Sequence, residues 1–170
     1  MDLKELVRNI PGFPKEGILF RDITPLIGDA KGFETLIDEM AETLRDQNVN
    51  MVIGPEARGF IFGATLAHAL HAGFVPARKP GKLPYETIGF QYGLEYGTDE
   101  LQIHADAIRP GQRVAIVDDL LATGGTALAC AKLVEQAGGV VVGFTFAIEL
   151  TDLPGREMLK GYPVHTILQY

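Results

Sequence analysis

The chain has 170 residues, 46% hydrophobic and 22% charged, the size and composition of one globular domain with a substantial core. Its formal net charge of −7 argues against nucleic acid as the main partner, while leaving room for a local basic site that takes a phosphate ligand. The sequence contains no serine, which removes every Ser-His-Asp scheme, and it has neither a G-x-x-x-x-G-K-[ST] nor a G-x-G-x-x-G run, so P-loop and Rossmann nucleotide sites have no support. The single cysteine, Cys130, precludes a disulfide framework and reads as a packing residue. The start Met1-Asp2-Leu3-Lys4-Glu5-Leu6 lacks the basic and apolar regions of a signal peptide, and no run of about 18 apolar residues occurs, so the expected compartment is the cytoplasm.

In chain order, Phe33, Leu36, Ile37, Met40 and Leu44 follow helical spacing, with Asp38, Glu39, Glu42, Arg45 and Asp46 on the other side, which predicts an amphipathic helix. A short apolar strand, Met51-Val52-Ile53, leads through the turn Gly54-Pro55-Glu56-Ala57-Arg58-Gly59 into an apolar helix from about Phe60 to Leu70, stopped near Gly73. His68 and His71, near that helix end, suit a dipole interaction better than metal ligation, and with His104 and His165 they form no ligand cluster. The strand Phe74–Ala77 follows. Between about Gly81 and Asp106 the pattern breaks: Gly81, Gly89, Gly93 and Gly97 interleave with Tyr85, Tyr92 and Tyr96, giving hairpin character and few helix signals, and no apolar periodicity anchors Gly93-Leu94-Glu95-Tyr96-Gly97. A segment of this length is expected to be a mobile flap over a site. A strand at Val114–Val117, a helix from Thr126 to Ala137 stopped by Gly138-Gly139, and a strand at Val140–Ile148 complete a βα pattern. Continuously apolar strands alternating with helices predict an α/β fold with a parallel-sheet core flanked by helices.

The run Val114-Ala115-Ile116-Val117-Asp118-Asp119-Leu120-Leu121-Ala122-Thr123-Gly124-Gly125-Thr126 carries the most chemistry. It places two carboxylates at the carboxyl end of a buried strand, where open α/β sheets collect ligands. The glycines let backbone approach an anion, and Thr123 and Thr126 add hydroxyls beside the N–H groups of the next helix. Adjacent acids repel unless a cation or hydrogen-bond donor lies between them, so a plain capping turn explains less than a site for a phosphorylated sugar. Arg78-Lys79-Pro80-Gly81-Lys82 puts three cations just beyond a strand end, where a bound pyrophosphate needs several donors, and Arg58 at a helix start is a second pyrophosphate candidate.

The Asp118 to Thr126 run resembles the signature by which type I phosphoribosyltransferases bind phosphoribosyl pyrophosphate (PRPP). Phe20-Arg21-Asp22-Ile23-Thr24-Pro25, Glu56-Ala57-Arg58-Gly59-Phe60, Arg78-Lys79-Pro80-Gly81-Lys82-Leu83-Pro84 and Leu94-Glu95-Tyr96-Gly97 narrow the likeness, over nearly the whole chain, to the members whose acceptor is adenine. The resemblance implies a single domain over residues 1–170, with an N-terminal hood that binds the base over 1–30 and a flap over 81–106. It implies a pentosyltransferase of purine salvage that transfers the 5-phosphoribosyl group of PRPP to N9 of adenine, giving AMP and pyrophosphate. PRPP and AMP would be held by Asp118, Asp119, Ala122, Thr123, Gly124, Gly125 and Thr126 with Arg78, Lys79 and Lys82. Adenine would meet Phe20 and Arg21, with Leu150 as a packing contact. Glu95 would take or share the purine proton, Tyr96 would help close the site, and Arg58 would stabilise the departing pyrophosphate. The resemblance further implies Mg²⁺ bound mainly through PRPP near Asp118 and Asp119, a cis peptide at Glu56-Ala57, and a homodimer with the Arg58-bearing segments near its interface. Other acceptors (hypoxanthine, xanthine, orotate) stay open at this point, as does a non-catalytic PRPP-sensing regulator, although the chain has no basic arm or helix-turn-helix and does keep Glu95.

Overall fold

The unbroken apolar strands expected from the sequence form one parallel sheet in the computed structural model, which describes residues 1–94 and 97–170; Glu95 and Tyr96 lie outside the described residues. The chain divides into two compact units, Met1–Glu39 and Met40–Tyr170. In the first, β1 (Arg8–Pro11) and β2 (Leu19–Asp22) pair antiparallel, Ile10 opposite Phe20 and Asn9 opposite Arg21. A short helix α1 (Thr24–Gly28) follows, with Pro25 in its first turn, where a missing N–H costs no helical bond. The amphipathic helix α2 (Ala30–Glu42) begins in this unit and runs past its boundary, and Leu36, Met40 and the following Leu44 are buried as their spacing predicts.

The second unit carries β3 (Met51–Pro55), α3 (Arg58–Ala69), β4 (Gly73–Ala77), β5 (Thr87–Leu94), β6 (Gly97–His104), β7 (Arg113–Leu121), α4 (Gly125–Gln136), β8 (Val140–Glu149), α5 (Gly155–Met158) and β9 (Val164–Gln169). Five of the strands form a sheet in the order β4-β3-β7-β8-β9, every pair parallel. From β3 the chain steps outward to β4, and from β7 it steps the opposite way to β8 and β9. The strand order therefore reverses between β3 and β7, and in open α/β sheets the crevice at the carboxyl ends of such strands is where ligands bind. Ile53, Val75, Val114, Ile116, Phe144 and Phe146 build the sheet's part of one hydrophobic core. At roughly 1.5–3 kcal/mol per buried large side chain, that core fixes the strand ends rigidly enough to aim side chains.

Several boundaries differ from the sequence reading. Strand β3 continues to Pro55 because its register with β4 continues to Ala77, so the turn shrinks to Glu56-Ala57 and α3 starts at Arg58 rather than Phe60. That helix ends at Ala69, and the left-handed residue after it is His71 at φ +56°, while Gly73 opens the next strand. Helix α4 starts one residue before Thr126 and stops as expected: Gly138 takes φ +85°, its N–H reaches the Glu135 carbonyl, and the Gly139 N–H reaches Val134.

The expected hairpin is present, and its two arms carry an apolar period of two. Strands β5 and β6 pair antiparallel from Thr87 opposite His104 to Leu94 opposite Gly97, and backbone bonds between Arg78 and Gln102 continue the ladder toward β4. Leu101 and Ile103 are buried in the core, and Ile88, Phe90 and Tyr92 pack against it. Interleaved glycines and glutamine conceal this period of two when the sequence is read alone.

Candidate active site

Asp118 and Asp119 leave the carboxyl end of β7, and both carboxylates lie against the start of α3. Arg58, the first residue of α3, donates from Nε to Asp119 Oδ2 at 2.5 Å, supplying the cation that adjacent acids require. Asp118 Oδ1 accepts the Asp119 N–H at 2.8 Å. The start of α3 lies so close to Asp118 that a Cβ on Gly59 would come within 2.9 Å of the carboxylate and within 2.9 Å of the Pro55 ring, so this position has room only for glycine. Burial, and after it the neighbouring Asp119, pushes the Asp118 carboxyl well above the ordinary aspartate range, while the Asp119 N–H and Arg58 pull the other way. The Glu56-Ala57 peptide that precedes Arg58 is cis.

From these acids the chain turns through Ala122-Thr123-Gly124 into α4. Gly124 sits at φ +86° and gives α4 no side-chain cap, and the first helical bond runs from the Leu128 N–H to the Gly124 carbonyl. The N–H groups of the helix's first turn therefore stay outside the helical ladder, at the positive end of the macrodipole. Arg58 and every residue from Asp118 to Ala127 line an open cavity of about 160 Å³. One wall offers carboxylates, the other backbone and hydroxyl donors, an arrangement suited to a sugar bearing a phosphate.

The basic stretch lies at the end of the neighbouring strand β4, and its cations are engaged by carboxylates. Arg78 Nε lies 3.4 Å from Glu56 Oε1, the Lys79 N–H donates to Glu56 Oε1 at 2.8 Å, Lys82 Nζ bonds Glu56 Oε2, and Lys79 Nζ bonds Asp99. Burial works to raise the Glu56 carboxyl, but Lys82, the Lys79 amide and Arg78 outweigh it and hold the carboxyl below the ordinary glutamate value. The Arg78 guanidinium also lies 5.8 Å from the Phe60 ring centre. Tyr92 on β5 ties the hairpin to α4, with its hydroxyl 3.3 Å from Asp99 Oδ2 and 3.4 Å from Thr126 Oγ1.

The second unit thus gathers Arg58, Asp118, Asp119 and the loop through Thr126 around one cavity, and sets Arg78, Lys79 and Lys82 in one ion-pair network. Leu150 follows β8, its N–H bonded to the Leu121 carbonyl at 3.0 Å beside the end of β7. Phe20 and Arg21 belong to the first unit, where Phe20 makes an edge contact with Phe13 at 5.1 Å and Arg21 bonds Asn9 at 2.6 Å. Glu95 and Tyr96 fall outside the described residues. Sequence reasoning missed Glu56, Tyr92 and Asp99 as partners. Glu56 was legible only as part of its motif, and Asp99 had no motif at all. Cys130 is buried inside α4, and burial pushes its thiol up, away from thiolate chemistry. Among the described residues no three His, Cys, Asp or Glu gather to hold a metal ion, and no helix is long and apolar enough to cross a membrane.

A parallel sheet with paired acids at its switch point and a glycine loop opening the next helix defines a phosphoribosyltransferase. A model of the phosphoribosyl transferase domain matches residues 26–165, and the chain belongs to that family. Among its relatives, an adenine phosphoribosyltransferase of Clostridium botulinum is 64% identical over 170 residues, which span 100% of this chain and 99% of the relative. The crystal structure of adenine phosphoribosyltransferase from Thermoanaerobacter pseudethanolicus superposes with a TM-score of 0.96 at 54% identity, covering 99% of this chain and 98% of that one. The Saccharomyces cerevisiae enzyme, in complex with an imino-altritol bisphosphate and adenine, gives a TM-score of 0.91 at 44% identity over 97% and 96% of the two chains.

Proposed function

We propose that this chain transfers the 5-phosphoribosyl group of PRPP to N9 of adenine, forming AMP and releasing pyrophosphate, a pentosyl transfer of purine salvage. The observation that carries the reading is the cavity whose wall is the whole run from Asp118 to Ala127, with Arg58 paired to Asp119. The relatives named adenine phosphoribosyltransferase, matched over their full length, support adenine as the acceptor.

The Thr123 to Thr126 loop receives the 5′-phosphate on its backbone N–H groups, and Asp118 and Asp119 accept hydrogen bonds from the ribose hydroxyls. As the bond from C1 to pyrophosphate breaks, positive charge grows on the ribose, and the two carboxylates favour it. Arg58, Arg78, Lys79 and Lys82 take the departing pyrophosphate, the two lysines and Arg78 exchanging their bonds to Glu56 and Asp99 for phosphate oxygens. The hard oxygen donors Asp118 and Asp119 suit Mg²⁺, which when bound beside them with the substrate would neutralise pyrophosphate charge. The bond from N9 to C1 forms and the purine loses a proton, which the resemblance assigns to Glu95. Phe20, Arg21 and Leu150 as base contacts, Tyr96 as a closing group, and a homodimer rest on the same resemblance.

The test is release of pyrophosphate from PRPP and Mg²⁺ with adenine, hypoxanthine, xanthine and orotate in turn. Turnover with adenine and not with the 6-oxo bases is expected, because a site built for an exocyclic amino group leaves buried groups unpaired against a carbonyl. Turnover with a 6-oxo base in preference to adenine would overturn the assignment, and no turnover with any base would return the chain to the PRPP-sensing class.

A further inference from the structure

Glu149, the last residue of β8, lies outside the signature and is 5% exposed, yet it carries a full set of partners. Arg156 grips it with two bonds, Nε to Oε1 at 3.0 Å and Nη2 to Oε2 at 2.8 Å; Thr166 Oγ1 adds a third at 2.8 Å and Gln169 Nε2 a fourth at 3.2 Å. Arg156 also donates from Nη1 to the Val164 carbonyl at 3.1 Å. Arg156 belongs to α5, so these bonds fasten that one-turn helix to the ends of β8 and β9.

Helix α5 in turn backs the phosphate loop. A Cβ on Gly124 would come within 2.9 Å of the Gly155 carbonyl and 2.9 Å of Met158 Cβ, and a Cβ on Gly155 would run into the Ala122 carbonyl and lie 2.7 Å from Leu121 Cδ1. Loop and helix therefore meet closely, with a backbone carbonyl on each side of the contact and Met158 and Leu121 packed against the two glycines. A loop that binds an anion through its own N–H groups needs a rigid backing, since a displacement of a fraction of an ångström misaims every donor at once.

We infer that Glu149 and Arg156 are positioning residues for the phosphate loop, acting through Gly155 and Met158 of α5 to hold Ala122 to Gly124 in the phosphate-binding geometry. The inference rests on that loop being the phosphate site. The clamp works in binding and not at the reacting atoms, so its loss should appear in the affinity for phosphorylated ribose while the turnover of bound substrate stays near wild type.

Titration with ribose 5-phosphate, together with KM and kcat for PRPP, tests it in wild type, Arg156→Met, Arg156→Lys and Gly155→Ala. Arg156→Lys perturbs the pair more gently and carries the test if Arg156→Met fails to fold, while Gly155→Ala pushes on Ala122 directly and reports on the contact between helix and loop. Arg156→Met and Gly155→Ala should raise both Kd and KM by about 2- to 30-fold, the span of couplings carried through packed elements. In the same variants kcat should change by less than about twofold, and Arg156→Lys, which restores one charged bond of the two, should recover part of the loss. If wild type binds ribose 5-phosphate and the variants bind it equally, differing only in melting temperature, the clamp is structural and the inference fails while the proposed function stands. If wild type does not bind it, the reading of the loop fails first.

Discussion

Asp118 is held at the end of a buried strand against its own solvation, next to a second carboxylate and with a helix start pressed so near that only glycine fits there. A carboxylate in that position costs stability, which fits the ligand-binding role proposed for it. Because its carboxyl titrates above the ordinary range in the folded chain, the native state binds more protons than the unfolded one between the two values. Stability from this residue therefore falls as pH rises out of the ordinary aspartate range through the raised one. Asp118→Asn keeps an oxygen for the Asp119 N–H and removes the charge. It should raise the melting temperature at neutral pH and lower kcat/KM for PRPP; thermal unfolding and steady-state rates check the two halves, and wild-type kcat/KM would reduce the acids to a capping feature. Glu149 behaves in the opposite sense. Arg156 holds its carboxyl below the ordinary glutamate value, so its contribution is complete above about pH 4.3 and disappears as pH falls through the lowered value. Urea unfolding midpoints followed into acid should therefore fall less steeply in Glu149→Gln than in wild type.

Among the elements, the strands and helices that a single residue pattern specifies were legible before the fold was seen. The run Val114–Val117 is apolar because both faces of β7 are covered, and Gly138-Gly139 stops α4 because only the first of the pair must enter the left-handed region. The hairpin character of this segment is legible in the sequence but its apolar face is not, because in Ile88-Gly89-Phe90-Gln91-Tyr92-Gly93 the apolar half of the alternation lies between glycines, which signal turns when read locally. The partners of the basic stretch were hidden for another reason: Asp99 lies 20 residues from Lys79 and meets it only because β5 and β6 fold back beside β4. A loosely docked flap would tolerate truncation of its apolar residues, whereas an anchored hairpin would not. Leu101 is 1% exposed within the main core, so Leu101→Ala should cost about 3 kcal/mol by chemical denaturation, in the range for buried leucine truncation. A loss below about 1 kcal/mol would return the hairpin to the unanchored class.

For the whole molecule, a net charge of −7 keeps the surface soluble and confines attraction for a polyanionic substrate to the cations around the site. The same surface carries a feature that solubility does not call for. Helix α3 starts with Arg58, and on its outer side Ile61, Ala64 and His68 are exposed at intervals of three and four, Ile61 at 38%. An amphipathic helix would place charge there, and a strip with Ile61 and Ala64 exposed beside a site residue fits the proposed homodimer, whose interface the family resemblance puts near the Arg58-bearing segment. A two-fold interface repeats one patch on both subunits, so a single substitution places two charges in it. Ile61→Arg would put a guanidinium group into each half of such an interface and leaves a monomer untouched, since the side chain already faces solvent. Sedimentation should show wild type at about twice the 18.4 kDa chain mass and Ile61→Arg at the chain mass, with melting temperature reporting that the fold survives. A variant that still sediments as a dimer would move the interface off α3, and a monomeric wild type would remove the homodimer from the proposal.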